Sequence, residues 1–228
     1  MAAEPAALQS PGPIRVHSRF LACSRPGSVG LQCSVDSPDN WQTLESRSLF
    51  RNPHVEVVQE RVSLPGESRV RVWTTVHRKN AVVIAPVTEA GRFVLIHEAR
   101  IPVRKWLWEF PAGQVDGTAE PGPDTIRETA VRELREETGY ELVPDGELMS
   151  LGHFYSSQGF TDETQHLFLA RPVRATGKGH QPDHSEAIAE CREFTFAELR
   201  AMVAGHIIQD ANTLGLFARL MAKSLYAD

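Results

Sequence analysis

Nine residues in the middle of the chain, Arg132-Glu133-Leu134-Arg135-Glu136-Glu137-Thr138-Gly139-Tyr140, hold its densest set of groups able to do chemistry. The run favours helix, and Gly139 stands where a helix would end in the left-handed conformation. At about 100° per residue, Glu133, Glu136 and Glu137 then share roughly 100° of arc on one face. Like charges at this spacing destabilise a helix by roughly a few tenths of a kcal/mol. They also sit in the last turn, where the helix dipole prefers cations. Such carboxylates are either left solvated or neutralised by a ligand. A hard divalent cation such as Mg²⁺ suits an all-oxygen donor set. Arg132 is placed to fork onto a neighbouring carboxylate and hold it. Taken alone, the run would also serve as a solvated face laced by Arg–Glu pairs, so its context must decide.

The elements around the run are legible as short units. Val55–Val62 and Arg69–Val76 are β-rich and flank Leu64-Pro65-Gly66-Glu67, a turn signal, which predicts an antiparallel hairpin. Ala81–Pro86 and Arg92–His97 are apolar strands around the turn Thr88–Gly91, and Trp106–Pro111 is another strand-like stretch. A loop rich in Gly, Pro and Asp, Gly113–Pro123, leads into a helix expected over Ile126–Thr138, with Thr125 and Glu128 as a capping box. Ala130, Leu134 and Val131 would form its buried stripe. Strands follow at Leu148–Tyr155, Thr164–Pro172 and Glu190–Phe194. Thr195 and Glu198 open a further helix with a second capping box. Asp210 caps the last helix, whose apolar face holds Leu214, Phe217, Leu220, Met221 and Leu225. Without regular βαβ alternation, this order predicts an α+β chain, a mixed sheet between helices in an α/β/α sandwich.

Composition sets the outer limits. The chain has 228 residues, 41% hydrophobic and 23% charged, which is enough for one core with an appendage. Residues 1–40 are rich in Pro, Ser and Gly and read as a disordered tail, with a globular domain over 41–228. A net charge of −5 disfavours a nucleic-acid partner bound through a basic face. No apolar run approaches the roughly 18–20 residues that span a bilayer, so no membrane partner is expected. Cys23, Cys33 and Cys191 are too few and too scattered for a disulfide framework, and free thiols point to the cytoplasm.

The acidic run resembles the Nudix box, G-x5-E-x7-R-E-U-x-E-E-x-G-U with U an aliphatic or aromatic residue. Arg132, Glu133, Leu134, Glu136, Glu137, Gly139 and Tyr140 match its second half. In the first half, Asp124 replaces the acid that orients the helix arginine, and Gly113 serves as the opening glycine ahead of a lengthened loop. Three other segments are similar to the ADP-ribose pyrophosphatase branch of that superfamily. They are Glu109-Phe110-Pro111-Ala112-Gly113, Glu98-Ala99-Arg100 and Ser156–Glu163. Ser185-Glu186-Ala187-Ile188 is a weaker fourth likeness.

The resemblance implies a Nudix fold with an N-terminal β-hairpin region, residues 41–78, that dimerises. It implies Mg²⁺, with Mn²⁺ as a substitute, held by Glu133, Glu136, Glu137, Glu163 and the Ala112 carbonyl. It casts Glu136, Glu137 and Glu163 as catalytic, Arg100 and Glu109 as substrate-binding, and Arg132, Gly139 and Asp124 as structural. Trp41, Trp73, Trp106 and Trp108 read first as core or interface residues, although one of them, or Phe110, could stack on an adenine ring. The substrate would be a nucleoside diphosphate linked to a sugar, ADP-ribose first. GDP-mannose, or binding of ADP-ribose without cleavage, stay open, because box residues read the diphosphate rather than the base or sugar.

Overall fold

Ala81–Thr88 is apolar at almost every position, as a strand covered on both faces must be. This strand, β4, lies at the centre of the molecule. The computed structural model describes residues 41–117, 120–180 and 187–226, all within the unit Asp39–Asp228. The tail 1–40, with Cys23 and Cys33, and the Ser185–Glu186 part of the weaker motif lie outside the described residues.

Three strands come first: β1 (Gln42–Arg51), β2 (Val55–Ser63) and β3 (Val70–Arg78). They form an antiparallel sheet of their own in the order β1-β2-β3. The expected hairpin is β2–β3, in unbroken register from Val55 opposite Arg78 to Ser63 opposite Val70. Strand β1 was not expected; exposed along its whole length, it lacks the alternation of a half-buried strand.

The second sheet contains β4, β5 (Phe93–Arg100), β6 (Lys105–Glu109), β7 (Ala112–Gln114), β8 (Tyr140–Tyr155), β9 (Thr164–Ala175) and β10 (Ile188–Phe194). Its path is β10-β5-β4-β9-β8, with β6 beside β5 and β7 beside β4. β4 and β9 run parallel while the other pairs are antiparallel, so the sheet is mixed. Helix α1 (Pro123–Thr138) covers one face, where Ala130 and Leu134 join Val82, Ile84, Val94 and Phe168. Helices α2 (Phe196–Ala204) and α3 (Ala211–Ala222) cover the other, where Leu199, Leu216 and Leu220 join Val83, Leu95, Leu167 and Leu169. The sandwich is the expected α+β arrangement.

Several local expectations fail: β8 begins at Tyr140 rather than at Leu148, β7 occupies the start of the loop expected from Gly113, and Leu225 lies past the end of α3. Helix α1 starts before Ile126, with Gly122 as N-cap and a proline in its first turn, so Thr125 lies inside the helix and caps nothing. Proline's fixed φ and missing N–H suit that position better than a capping box further in. Val131 is exposed, because the buried stripe of α1 runs through Ala130, Leu134 and the acids. Met221 is exposed one position beyond the buried stripe of α3. The capping box at Thr195–Glu198 and the Asp210 cap are present. Among the described residues no helix is long and apolar enough to cross a membrane.

Candidate active site

Two glutamates of α1 point inward rather than into solvent. Glu133 is 5% exposed and Glu137 1%, one turn apart, facing β7. Glu137 Oε2 accepts the Ala112 N–H at 2.7 Å. The Glu133 carboxylate lies so close to Gly113 that a Cβ there would stand 2.0 Å from its Cδ. Gly113 is thus required by a close approach. Gly139 has φ 72° and ends α1 as expected. Its Cα also faces the Gly179 backbone, where a Cβ would be 2.4 Å from the carbonyl carbon.

Arg132 braces the acids. Its Nη2 lies 2.7 Å from Glu133 and its Nη1 2.7 Å from Glu136, the more exposed of the three box glutamates. The third partner is Asp116, 3.3 Å from Nη2. Asp124 does not take that place. It is exposed in the first turn of α1, where an acid favours the helix dipole, and Asp116 of the preceding loop meets the arginine instead. Partial burial works against the Arg132 charge, but the Glu136 hydrogen bond and the Glu133, Glu136 and Asp116 charges outweigh it and raise its pKa.

Arg100 and Glu109 form a second cluster, on paired strands β5 and β6. Arg100 Nε lies 3.1 and 3.0 Å from the two Glu109 oxygens, and its Nη2 lies 2.6 Å from Oε2. Glu98 approaches the same Nη2 at 3.0 Å. Burial opposes the guanidinium charge, yet the Glu109 hydrogen bonds and both carboxylates raise its pKa. Glu109 is buried beneath Arg100, so its contact is with the arginine. The cluster is anchored to α3: the Phe110 N–H donates to Thr213 Oγ1 at 2.9 Å, and Asp210 Oδ2 accepts the Thr213 N–H at 2.7 Å. Burial, then the Glu109 charge, pushes the Asp210 carboxyl up to about 6.

Glu163 ends the loop between β8 and β9 and is buried. Ser156 Oγ donates to its Oε2 at 2.9 Å, and Arg78 Nη1 lies 3.2 Å from its Oε1. The loop is further tied to β3, with His77 Nδ1 2.6 Å from Asp162 Oδ2. Beside it, Trp41, Trp73, Tyr155 and Phe160 line a cleft of about 630 Å³. Phe110 is fully buried and cannot stack on a ligand, and Trp108 stacks on His97 at 4.7 Å.

Asp116, Arg78 and the His77–Asp162 pair escaped sequence reasoning. Each acts across a long separation, 16 residues for Asp116 to Arg132 and 85 for His77 to Asp162, where no local spacing signals contact.

Among the described residues, no three His, Cys, Asp or Glu side chains already converge as a metal cage. The chemistry of the donors nonetheless fits a hard cation: all are carboxylate or carbonyl oxygens, and two carboxylates are nearly buried against a strand held clear of a Cβ.

The fold and the braced acidic helix are those of one enzyme family. The NUDIX domain profile matches residues 76–214, more than half of the chain, and the protein belongs to the Nudix family. Nudix hydrolases generally use divalent metal ions. An ADP-ribose pyrophosphatase of Bacillus subtilis (strain 168) is 31% identical over 173 residues, covering 75% of this chain and 88% of the relative. An ADP-ribose pyrophosphatase of Mycobacterium tuberculosis is 29% identical over 180 residues, covering 78% and 83%. A methanol dehydrogenase activator of Bacillus methanolicus is 30% identical over 174 residues, covering 76% and 88%. The crystal structure of an ADP compounds hydrolase superposes with a TM-score of 0.65 at 16% identity, covering 82% of this chain and 97% of that one.

Proposed function

We propose that this protein is a divalent-metal-dependent hydrolase of nucleoside diphosphates linked to sugars, splitting ADP-ribose with water into AMP and ribose 5-phosphate. The observation that carries the reading is the burial of Glu133 and Glu137 against Ala112–Gly113, with Arg132 bracing the box. The two ADP-ribose pyrophosphatases near 30% identity support the choice of substrate.

Glu133, Glu137 and the Ala112 carbonyl would hold one cation, Mg²⁺ or in its place Mn²⁺, and Glu136 a second, with Glu163 as a further ligand or as base. Bound there, the metal supplies charge neutralisation of the diphosphate and acidification of a water. Arg132 keeps Glu133 and Glu136 oriented, so their charges are not free to splay apart. Arg100 offers its exposed edge to a phosphate oxygen, and Glu109 fixes the plane of the guanidinium rather than touching substrate. Glu163, held at both oxygens, takes a proton from the attacking water. The aromatic cleft of Trp41, Trp73 and Phe160 accepts the base by stacking.

The exposed Leu44, Leu49, Phe50 and Val72 of the small sheet support a homodimer formed through residues 41–78. We assign residues 41–228 to the hydrolase domain and 1–40 to a tail preceding it. A cytoplasmic location is in keeping with the free thiol of Cys191.

The test is hydrolysis of a panel of nucleoside diphosphate sugars with Mg²⁺, with Mn²⁺ and with chelator. AMP release from ADP-ribose, abolished by chelator, is expected. Preference for GDP-mannose would keep the chemistry and change the substrate. Metal-dependent binding of ADP-ribose without cleavage would overturn the enzyme reading.

A further inference from the structure

The last three residues of β3 all reach the loop that carries Glu163. The Val76 N–H donates to the Phe160 carbonyl at 2.7 Å. His77 Nδ1 lies 2.6 Å from Asp162 Oδ2, and the Arg78 N–H donates to Asp162 Oδ1 at 3.2 Å. The Arg78 side chain continues past Asp162, its Nη1 3.2 Å from Glu163 Oε1. Ser156 holds the other oxygen of that carboxylate at 2.9 Å. Each oxygen of Glu163 thus has its own donor, one from within the loop and one from a different sheet.

From this arrangement we infer that Arg78 is a positioning residue that sets the orientation of Glu163, and that the small sheet clamps the reactive loop through it. The inference rests on the role given to Glu163 above. Arg78 touches no reacting atom and works through the carboxylate. With the arginine gone, Ser156 alone would hold the carboxylate, leaving it free to turn about that one bond. A misplacement of about 1 Å in a reacting group is enough to cost about a hundredfold in rate. Charge alone is not the point. Lysine at 78 keeps the cation but lacks the planar head that fixes an angle.

The experiment compares wild type, Arg78→Gln, Arg78→Lys, Glu163→Gln and the Arg78→Gln/Glu163→Gln double variant. Steady-state kinetics are measured on ADP-ribose with saturating Mg²⁺. Amide hydrogen exchange is measured over 156–163 without metal or substrate. Arg78→Gln is expected to lower kcat about 10- to 100-fold with KM within about threefold, and Arg78→Lys to recover part of the loss. The double variant should turn over no more slowly than Glu163→Gln, because the arginine has nothing left to position. Loop amides should exchange faster in Arg78→Gln while the rest of the protein exchanges as before.

A wild-type kcat in Arg78→Gln beside an impaired Glu163→Gln would overturn the inference and leave the role of Glu163 standing. Multiplying losses in the double variant would also overturn it, since Arg78 would then act independently of Glu163. A wild-type rate in Glu163→Gln would remove the role of Glu163 and the inference with it. If Arg78→Gln does not fold, Arg78→Lys carries the same cycle. A loss that disappears in the Glu163→Gln background supports positioning, and one that persists refutes it.

Discussion

Substituting Gly113 by alanine is the smallest change that separates the geometry of the acidic helix from its charge. The added methyl would sit 2.0 Å from Glu133 Cδ and 2.1 and 2.5 Å from the two oxygens. Ordinary contact begins near 3.4 Å, so the carboxylate must retreat by about 1.4 Å. Its freedom to do so is small, because it is nearly buried and Arg132 grips Oε1 at 2.7 Å. Overpacking of this kind costs about 1–3 kcal/mol of stability. For a chain of this size that lowers Tm by roughly 2–4 °C per kcal/mol. Displacing a functional group by about 1 Å or more costs about a hundredfold in rate. Gly113→Ala should therefore fold, melt several degrees lower, lose about a hundredfold in kcat/KM on ADP-ribose, and need more Mg²⁺ for half-maximal activity. Gly122→Ala is the control, since its Cβ would meet open space. Wild-type kinetics and an unchanged Mg²⁺ requirement in Gly113→Ala would refute the placement of Glu133 in the working site. An equal loss in Gly122→Ala would refute the steric reasoning.

Two further predictions concern stability. Asp210 is ionised less readily in the folded protein, at about 6 against an ordinary 3.8, through burial first and the Glu109 charge second. The folded state therefore holds more protons between those values, and stability falls as pH rises through them, by about 3 kcal/mol at most. Asp210→Asn keeps a capping oxygen but cannot ionise, so its stability relative to wild type should improve between pH 4 and pH 7.5 in urea unfolding. A gap that stays flat or closes would mean that the cap works better as an anion. Thr195→Ala removes a complete capping box at the start of α2 and should cost about 1 kcal/mol, read as a Tm lower by a few degrees with kcat unchanged.

How far the sequence could be read depended on whether a contact was local. The face of α1 that carries Glu133, Glu136 and Glu137 follows from helical spacing, and Gly139 marked its end. β4 and β5 were visible because strands buried on both faces read as continuous apolar runs. The start of α1 was misplaced because Thr125–Glu128 mimics a capping box while Pro123 offers a better first turn. β1 was missed because nothing among the described residues buries it, so it lacks the alternation of a half-buried strand. The brace on Arg132 was expected from Asp124 by its motif position, but the lengthened loop delivers Asp116 there instead. Likewise Arg78 meets Glu163 only through the folding of two sheets, which no spacing along the chain reports.

The most direct measurement is turnover of ADP-ribose by Glu137→Gln beside wild type at saturating Mg²⁺. The substitution removes the charge of the most buried box glutamate and keeps its size. AMP release should fall by about a hundredfold or more in kcat with KM little changed, in a protein that still melts cooperatively. A folded Glu137→Gln that releases AMP at the wild-type rate would contradict the assignment of the acidic helix as the metal-binding centre.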